Sequence, residues 1–275
     1  MRTMQTRYET ADAGDSERFW GAAPYPHVAI DDFFPPDFFA RLSESMRQVS
    51  DRAGASHNYD TDIERKKQCF SEDAFDDNIR AAAQYLSGPA FLGYLESLLE
   101  VEGLIPLTAL KTLSGRTYFH VSSGGGFLGS HVDQSYLGRR GPFFKKYIHV
   151  CSTVFYGSPE WRSEYGGHTV LFDRSGRTPV ATVECRPNRT NVFLHTSTSF
   201  HGVSEMTTDR KRYSLYMDYY LPQRRLRALQ DTIVRKQAKC APDYWLHNVT
   251  FVPNSSHPVY QKIYDRYLAA SARRL

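Results

Sequence analysis

From about residue 106 to residue 221 the chain reads as a succession of short β-prone runs with no helical pattern between them. The runs lie at 116–121, 147–156, 168–172, 180–184, 191–195 and 211–221, and Gly, Pro, Asn and Asp punctuate them. Parallel strands need long crossovers, usually helices, so this pattern argues against a parallel α/β sheet. It predicts a mainly β protein, a sandwich or jelly-roll with helices packed outside. Those helices come from the flanks. Pro35-Pro36-Asp37 opens one, with Phe38, Leu42 and Met46 on a single stripe. Two more are predicted at about 73–86 and 89–100, the second carrying Phe91, Leu92, Leu95, Leu98 and Leu99. Beyond the strands, apolar periodicity predicts helices at about 223–238 and 258–270. A short strand is predicted within 26–34. Residues 1–20 are predicted to be loosely ordered, and the polar, aperiodic stretch 52–70 to be a long loop.

No internal repeat and no Gly/Ser- or Pro-rich linker divides the chain, so residues 1–275 are expected to form one domain. Its N-terminal strand and helices would span about 21–105, its β core 106–221 and its helical C-terminal segment 222–275. The net charge of +4 is uneven: residues 222–275 hold ten Lys or Arg against three Asp. A basic tail raises nucleic-acid binding, but no run of five like charges and no nucleic-acid motif accompanies it. A helix face of solvated arginine is the expected reading. The four cysteines form no CxxC pair, which favours a reducing compartment over a disulfide frame or zinc knuckle. Residues 1–20 contain no apolar signal-peptide core, and no stretch approaches the roughly 18 apolar residues of a membrane helix. A cytoplasmic protein without membrane attachment is expected.

The segment Gly126-Phe127-Leu128-Gly129-Ser130-His131-Val132-Asp133 carries the first chemistry. In a strand, side chains at i and i+2 project to the same side, so His131 and Asp133 aim a nitrogen and an oxygen at one point. A third ligand must come from elsewhere, and His201 is the best candidate. Two imidazoles and one carboxylate on one face leave coordination positions open, the ligand set of non-haem iron(II) that binds a cosubstrate and O₂ together. HxD alone also fits an exposed loop, and His195 is a rival ligand or a structural histidine.

Downstream lies Arg212-Tyr213-Ser214-Leu215-Tyr216-Met217-Asp218-Tyr219. As a strand it puts Tyr213, Leu215, Met217 and Tyr219 on one face and Arg212, Ser214, Tyr216 and Asp218 on the other. A buried arginine needs a counter-charge. A dicarboxylate ligand supplies one through two charge-assisted hydrogen bonds, with Ser214 adding a third. The alternative is a structural pair, Arg212 with Asp218.

With these residues in order, about residues 116–221 resemble the prolyl-hydroxylase-like family of iron(II)/2-oxoglutarate dioxygenases. The glycine-containing run into His131 and Asp133 is similar to that family's HxD segment. Thr153-Val154-Phe155-Tyr156, Trp161 and Glu164-Tyr165-Gly166-Gly167 resemble the strand, turn and glycine pair that follow. Pro187-Asn188-Arg189-Thr190-Asn191-Val192-Phe193-Leu194 is similar to the strand before the distal histidine. His201-Gly202-Val203 resembles the distal motif, and Arg212-Tyr213-Ser214 the cosubstrate anchor.

The resemblance implies a double-stranded β-helix, the cupin-like jelly-roll, with iron at His131, Asp133 and His201. It implies the distal carboxylate of 2-oxoglutarate at Arg212, with Tyr156 on the same carboxylate. Tyr156 also reads as a core tyrosine, and Arg210 is a lesser alternative anchor. The tyrosine that often precedes HxD is not clearly placed, so His120 and Tyr118 stay open for that contact. Asp133 stands where halogenating relatives have a small residue, which implies hydroxylation or another oxidation.

The implied reaction couples decarboxylation of 2-oxoglutarate to succinate, using O₂, with C–H oxidation of a small molecule such as an amino acid or biosynthetic intermediate. A peptidyl-residue hydroxylase of the same chemistry and a non-catalytic jelly-roll binding module are the alternatives. The loop 134–146 carries Arg139, Arg140, Lys145 and Lys146 and no acid. It raises an anionic substrate, against the reading of a solvated basic loop.

Overall fold

The computed structural model describes residues 11–110, 118–138, 146–240, 244, 247–253 and 258–272. In chain order the elements are α1 (Ala13–Gly21), β1 (His27–Ile30), α2 (Pro36–Arg52), β2 (His57–Tyr59), β3 (Glu64–Phe70), α3 (Asp77–Leu86), α4 (Pro89–Leu99) and β4 (Ile105–Pro106). The strand-rich part follows: β5 (Tyr118–Val132), β6 (Tyr136–Gly138), β7 (Lys146–Tyr156), β8 (Thr169–Phe172), β9 (Pro179–Val183), β10 (Arg189–Leu194), β11 (His201–Val203) and β12 (Arg212–Pro222). α5 (Leu226–Arg235), β13 (Thr250–Phe251) and α6 (Pro258–Ala272) complete it.

The strands form a nearly closed, antiparallel jelly-roll in the order β1-β10-β7-β12-β5-β11-β8-β9. β5 makes the corner. Its residues Tyr118–Ser122 pair with β12, and its later residues Leu128 and His131 pair with β11. Gly125, at φ +75°, sits between the two halves, where a strand that turns from one sheet to the other needs a local bend. The even–odd alternation of β12 holds. Tyr213, Leu215, Met217 and Tyr219 are buried in the main apolar core, whereas Arg212, Ser214 and Tyr216 line a cavity on the opposite face. That core continues into the helices through Leu42 and Met46 of α2, Ile79 and Leu86 of α3, and Phe91, Leu95 and Leu98 of α4. The helices thus buttress the sheet and leave the cavity to the strands.

Two expectations need correction. Residues 13–21 form a helix, capped by the Asp12 side chain on the Asp15 N–H, and Phe19 and Trp20 are buried. Two large aromatics on one turn suffice to dock it, with the Trp20 indole donating to the Leu98 carbonyl at 3.0 Å. The stretch 52–70 is not a long loop. β2 pairs with β3, and β3 pairs with β5 over Glu64–Phe70, so these polar residues are ordered by main-chain hydrogen bonds. Leu128 and His131 each have a partner on both sides: Val203 and Glu64 for the first, His201 and Phe251 for the second. β3 and β13 therefore follow one another along the edge of β5 opposite β11. Among the described residues, no helix is long and apolar enough to cross a membrane.

Candidate active site

β5 and β11 bring the three expected ligands together. His131 and His201 are directly paired across the two strands, and their ring centroids lie 4.4 Å apart. Gly202 permits that approach: a Cβ there would stand 2.6 Å from the Leu128 carbonyl oxygen. His131 Nε2 lies 3.3 Å from Asp133 Oδ1, and His201 Nε2 lies 3.5 Å from Asp133 Oδ2. The other ring nitrogens fix the tautomers. His131 Nδ1 faces the Gly129 carbonyl at 2.9 Å and His201 Nδ1 faces the Ser199 carbonyl at 3.1 Å. A carbonyl only accepts, so each Nδ1 carries the proton and each Nε2 turns a lone pair toward the carboxylate.

Three acceptors converging on one point repel unless a cation lies between them. Donor atoms about 2.1 Å from a metal and at right angles stand roughly 3 Å apart, close to the separations seen. The donor set therefore fits a first-row divalent ion with open positions.

Arg212 lines the same cavity, 4% exposed, with Nη1 donating to Ser214 Oγ at 3.2 Å. Among the described residues, its buried Nε and Nη2 have no hydrogen-bond partner. Such a guanidinium is costly unless a ligand completes it, and a carboxylate matches its fork. Gly167, at φ +70°, makes the room, since a Cβ there would lie 2.8 Å from Arg212 Cδ. This is the physical use of the Gly-Gly pair. Tyr156 is fully buried beneath the guanidinium, with the Arg212 Cζ 5.0 Å from its ring centre and its hydroxyl bonded to Thr169 Oγ1 at 2.7 Å. Arg210 is exposed and 3.9 Å from Glu160, away from the cavity. His120 lies in the cavity wall opposite Ser214, stacked on Tyr216 at 5.8 Å. Burial, with Lys67 and Arg212 nearby, pushes its pKa well below the ordinary value, so its imidazole is neutral at pH 7. Tyr118 opens β5. Arg139, Arg140 and Lys145 lie outside the described residues.

Behind the ligands is a buried polar cluster that the sequence pattern did not single out. His149 Nε2 lies 2.9 Å from Asp218 Oδ1, and Ser152 Oγ donates to the same carboxylate. Ser152 also contacts His195 Nε2 at 2.8 Å and the Tyr216 hydroxyl at 3.1 Å. Tyr216 in turn donates to Asp133 Oδ2 at 3.3 Å. Asp218 is thus occupied by His149 and Ser152. It is also six residues from Arg212 along one strand, about 20 Å at the usual rise, so the pair considered from sequence does not form. Burial lowers His149, but the Asp218 carboxylate outweighs it and raises the group. Burial and the neighbouring His149 depress His195 well below its usual value. His195 Nε2 is 3.7 Å from Asp133, and it is held by Ser152. Periodicity offered one clue, because Ser152 shares the face of Val154 and Tyr156 on β7.

The cavity has a volume of about 550 Å³. Besides the residues above, it is lined by Tyr59, Glu64 and Lys67 of the hairpin, and by Phe127, Val249 and Phe251. The stretch 52–72 thus contributes to the cavity, as a hairpin and not as the loop its sequence suggests.

Comparison with known proteins gives a consistent picture. Residues 117–220 match the family model of the 2OG-Fe(II) oxygenase superfamily. A Pseudomonas putida prolyl-4-hydroxylase superposes with a TM-score of 0.52 at 18% identity, covering 75% of this chain and 98% of that one. A Trichoplax adhaerens prolyl hydroxylase, solved with a hypoxia inducible factor peptide fragment, gives 0.52 at 14% identity, covering 80% and 98%. The epimerase SnoN, solved with Fe3+, alpha ketoglutarate and nogalamycin RO, gives 0.55 at 12% identity, covering 76% and 84%. These likenesses establish the fold. A search of curated protein sequences finds no match.

Proposed function

We propose, from the match of residues 117–220 to the 2OG-Fe(II) oxygenase superfamily model, that the chain is an oxygenase of that kind in which His131, Asp133 and His201 hold the iron and Arg212 holds 2-oxoglutarate. The observation that carries the metal assignment is the meeting of two imidazole lone pairs and a carboxylate, with both Nδ1 protons tied to carbonyls. When bound, iron(II) and 2-oxoglutarate supply O₂ activation, with decarboxylation to succinate and oxidation of a substrate C–H bond.

The chain's own side chains do the positioning. The backbone carbonyls of Gly129 and Ser199 orient the imidazoles, and Tyr216 steadies the Asp133 oxygen that faces His201. Arg212 and Ser214 receive the distal carboxylate, with Tyr156 supporting the guanidinium from below. His120, a neutral imidazole in the same wall, is our candidate for the keto-acid end. Phe127, Val249 and Phe251 give the substrate an apolar wall to lie against.

We assign a small-molecule substrate and hydroxylation as the outcome. The cavity volume lies in the range of small-molecule sites. The solved neighbours include enzymes of both kinds, a prolyl hydroxylase with a peptide and an epimerase from nogalamycin biosynthesis. A screen of free amino acids and biosynthetic intermediates against peptides separates the two. We also read the chain as a single oxygenase domain working in the cytoplasm, in keeping with its four free, buried cysteines.

The direct test is anaerobic addition of iron(II) and 2-oxoglutarate. A weak metal-to-ligand charge-transfer band is expected, followed by succinate on admission of air, and His131→Ala is expected to abolish both. Succinate formation that survives in the variant overturns the ligand assignment.

A further inference from the structure

The β2–β3 hairpin, which meets Arg212 across Ser122 of β5, and the segment around β13 both line the cavity from outside the family-matched stretch. With Phe127 and Leu128 of β5, these segments make an apolar wall through Ile63, Val249 and Phe251. Set into that wall is one ion pair. Lys67 Nζ donates to Glu64 Oε1, and the ammonium lies 5.0 Å from the centre of the Tyr59 ring. Both side chains are largely shielded, at 20% and 12% exposure. Glu64 and Lys67 thus satisfy each other and are held by an aromatic face.

The charges of the cavity balance. Among the described lining residues the only charged ones are Glu64, Lys67, Asp133 and Arg212, two of each sign. A divalent iron and dianionic 2-oxoglutarate cancel as well, and His120 is uncharged. Among the described residues, the loaded cavity therefore offers no unpaired charge. A charged substrate would lose its hydration against apolar walls with no free counter-ion among the described residues, which is unfavourable unless an existing pair is broken.

Building on the assignment of iron and 2-oxoglutarate above, we infer that the substrate presents an uncharged, mainly apolar body to this cavity, and that the Glu64–Lys67 pair meets one neutral polar group on it, such as a hydroxyl, carbonyl or amide. The pair is the specificity element. It can accept from and donate to such a group while staying paired, and it repels neither end of a neutral dipole. This differs from the anionic substrate that the basic loop raises.

The test uses three aromatic probes of one shape, 2-naphthamide, 2-naphthoate and the ammonium form of 2-(aminomethyl)naphthalene. Each is titrated calorimetrically into the protein loaded with Mn(II) and 2-oxoglutarate, so nothing turns over. The amide is expected to bind about tenfold or more tighter than either ion. Glu64→Gln leaves Lys67 unbalanced and is expected to move the preference toward naphthoate. Lys67→Met is expected to move it toward the ammonium probe. An ion bound tightest by the wild-type protein, a ranking unchanged in both variants, or no binding of any probe to loaded protein overturns the inference. Loading is measured first, on its own. A protein that binds no Mn(II) and 2-oxoglutarate overturns the parent assignment instead.

Discussion

Arg212→Met should cost this protein most of its affinity for 2-oxoglutarate. The guanidinium already sits in a buried place with Nε and Nη2 lacking partners, so its desolvation has been met before any ligand arrives. A carboxylate that completes both positions gains two hydrogen bonds to a charged group, each about 1.5–3 kcal/mol. Even at the low end, their loss is about 3 kcal/mol, or roughly 10²-fold in Kd. Arg212→Lys keeps the charge but presents a point donor instead of a fork, so about half the loss should return. The assay is titration of 2-oxoglutarate into Mn(II)-loaded protein, with Mn(II) affinity and thermal unfolding measured on the same samples. A Met variant whose Kd stays within about threefold of wild type, with metal binding intact, refutes the anchor assignment.

Two further outcomes follow from contacts elsewhere. Gly202→Ala should push β11 off β5, because the new Cβ meets a backbone oxygen that cannot move aside. A destabilisation of about 1–3 kcal/mol and a drop in Tm of several degrees are expected, together with weaker Mn(II) binding. Gly21→Ala, with nothing within 4 Å, is the neutral control. Asp31→Asn should remove the two-pronged contact from Arg189, 2.6 and 2.8 Å, that ties the end of β1 to β10. That hydrogen bonding holds the Asp31 carboxyl below its usual value. Its stabilisation is complete above the ordinary carboxylate range and is lost as pH falls through the depressed value. With Asp31 half-exposed, the difference should be about 0.5–1 kcal/mol at pH 7, vanishing in strong acid. Denaturant unfolding of both proteins across pH checks the trend, and a gap that persists at acid pH contradicts it.

The parts of this site that lie on regular strands were legible because alternation alone decides which side chains share a face. His131 with Asp133, and Arg212 with Ser214 and Tyr216, needed nothing more. The hairpin at 57–70 was illegible for the opposite reason. Glu64-Arg65-Lys66-Lys67-Gln68 has no apolar alternation, and its strand character comes from pairing with β5, a partner about sixty residues away. Helix α1 was hidden because its anchors, Phe19 and Trp20, are adjacent and leave no periodic stripe. The buried cluster around Ser152 escaped notice because its members come from three strands, and each looks ordinary alone. Only the fold shows that His149, His195 and Asp218 meet behind the Asp133 carboxylate.

The double occupancy of β5 has a consequence for the newborn chain. A ribosome delivers His131 and Asp133 long before Phe251, which is the main-chain partner across from His131. Until that residue emerges, the backbone beside His131 has open donors and acceptors, an invitation to a strand from another nascent copy. Arrival of residues 250–251 closes that window, so the order of synthesis leaves this edge of β5 among the last parts of the sheet to be covered.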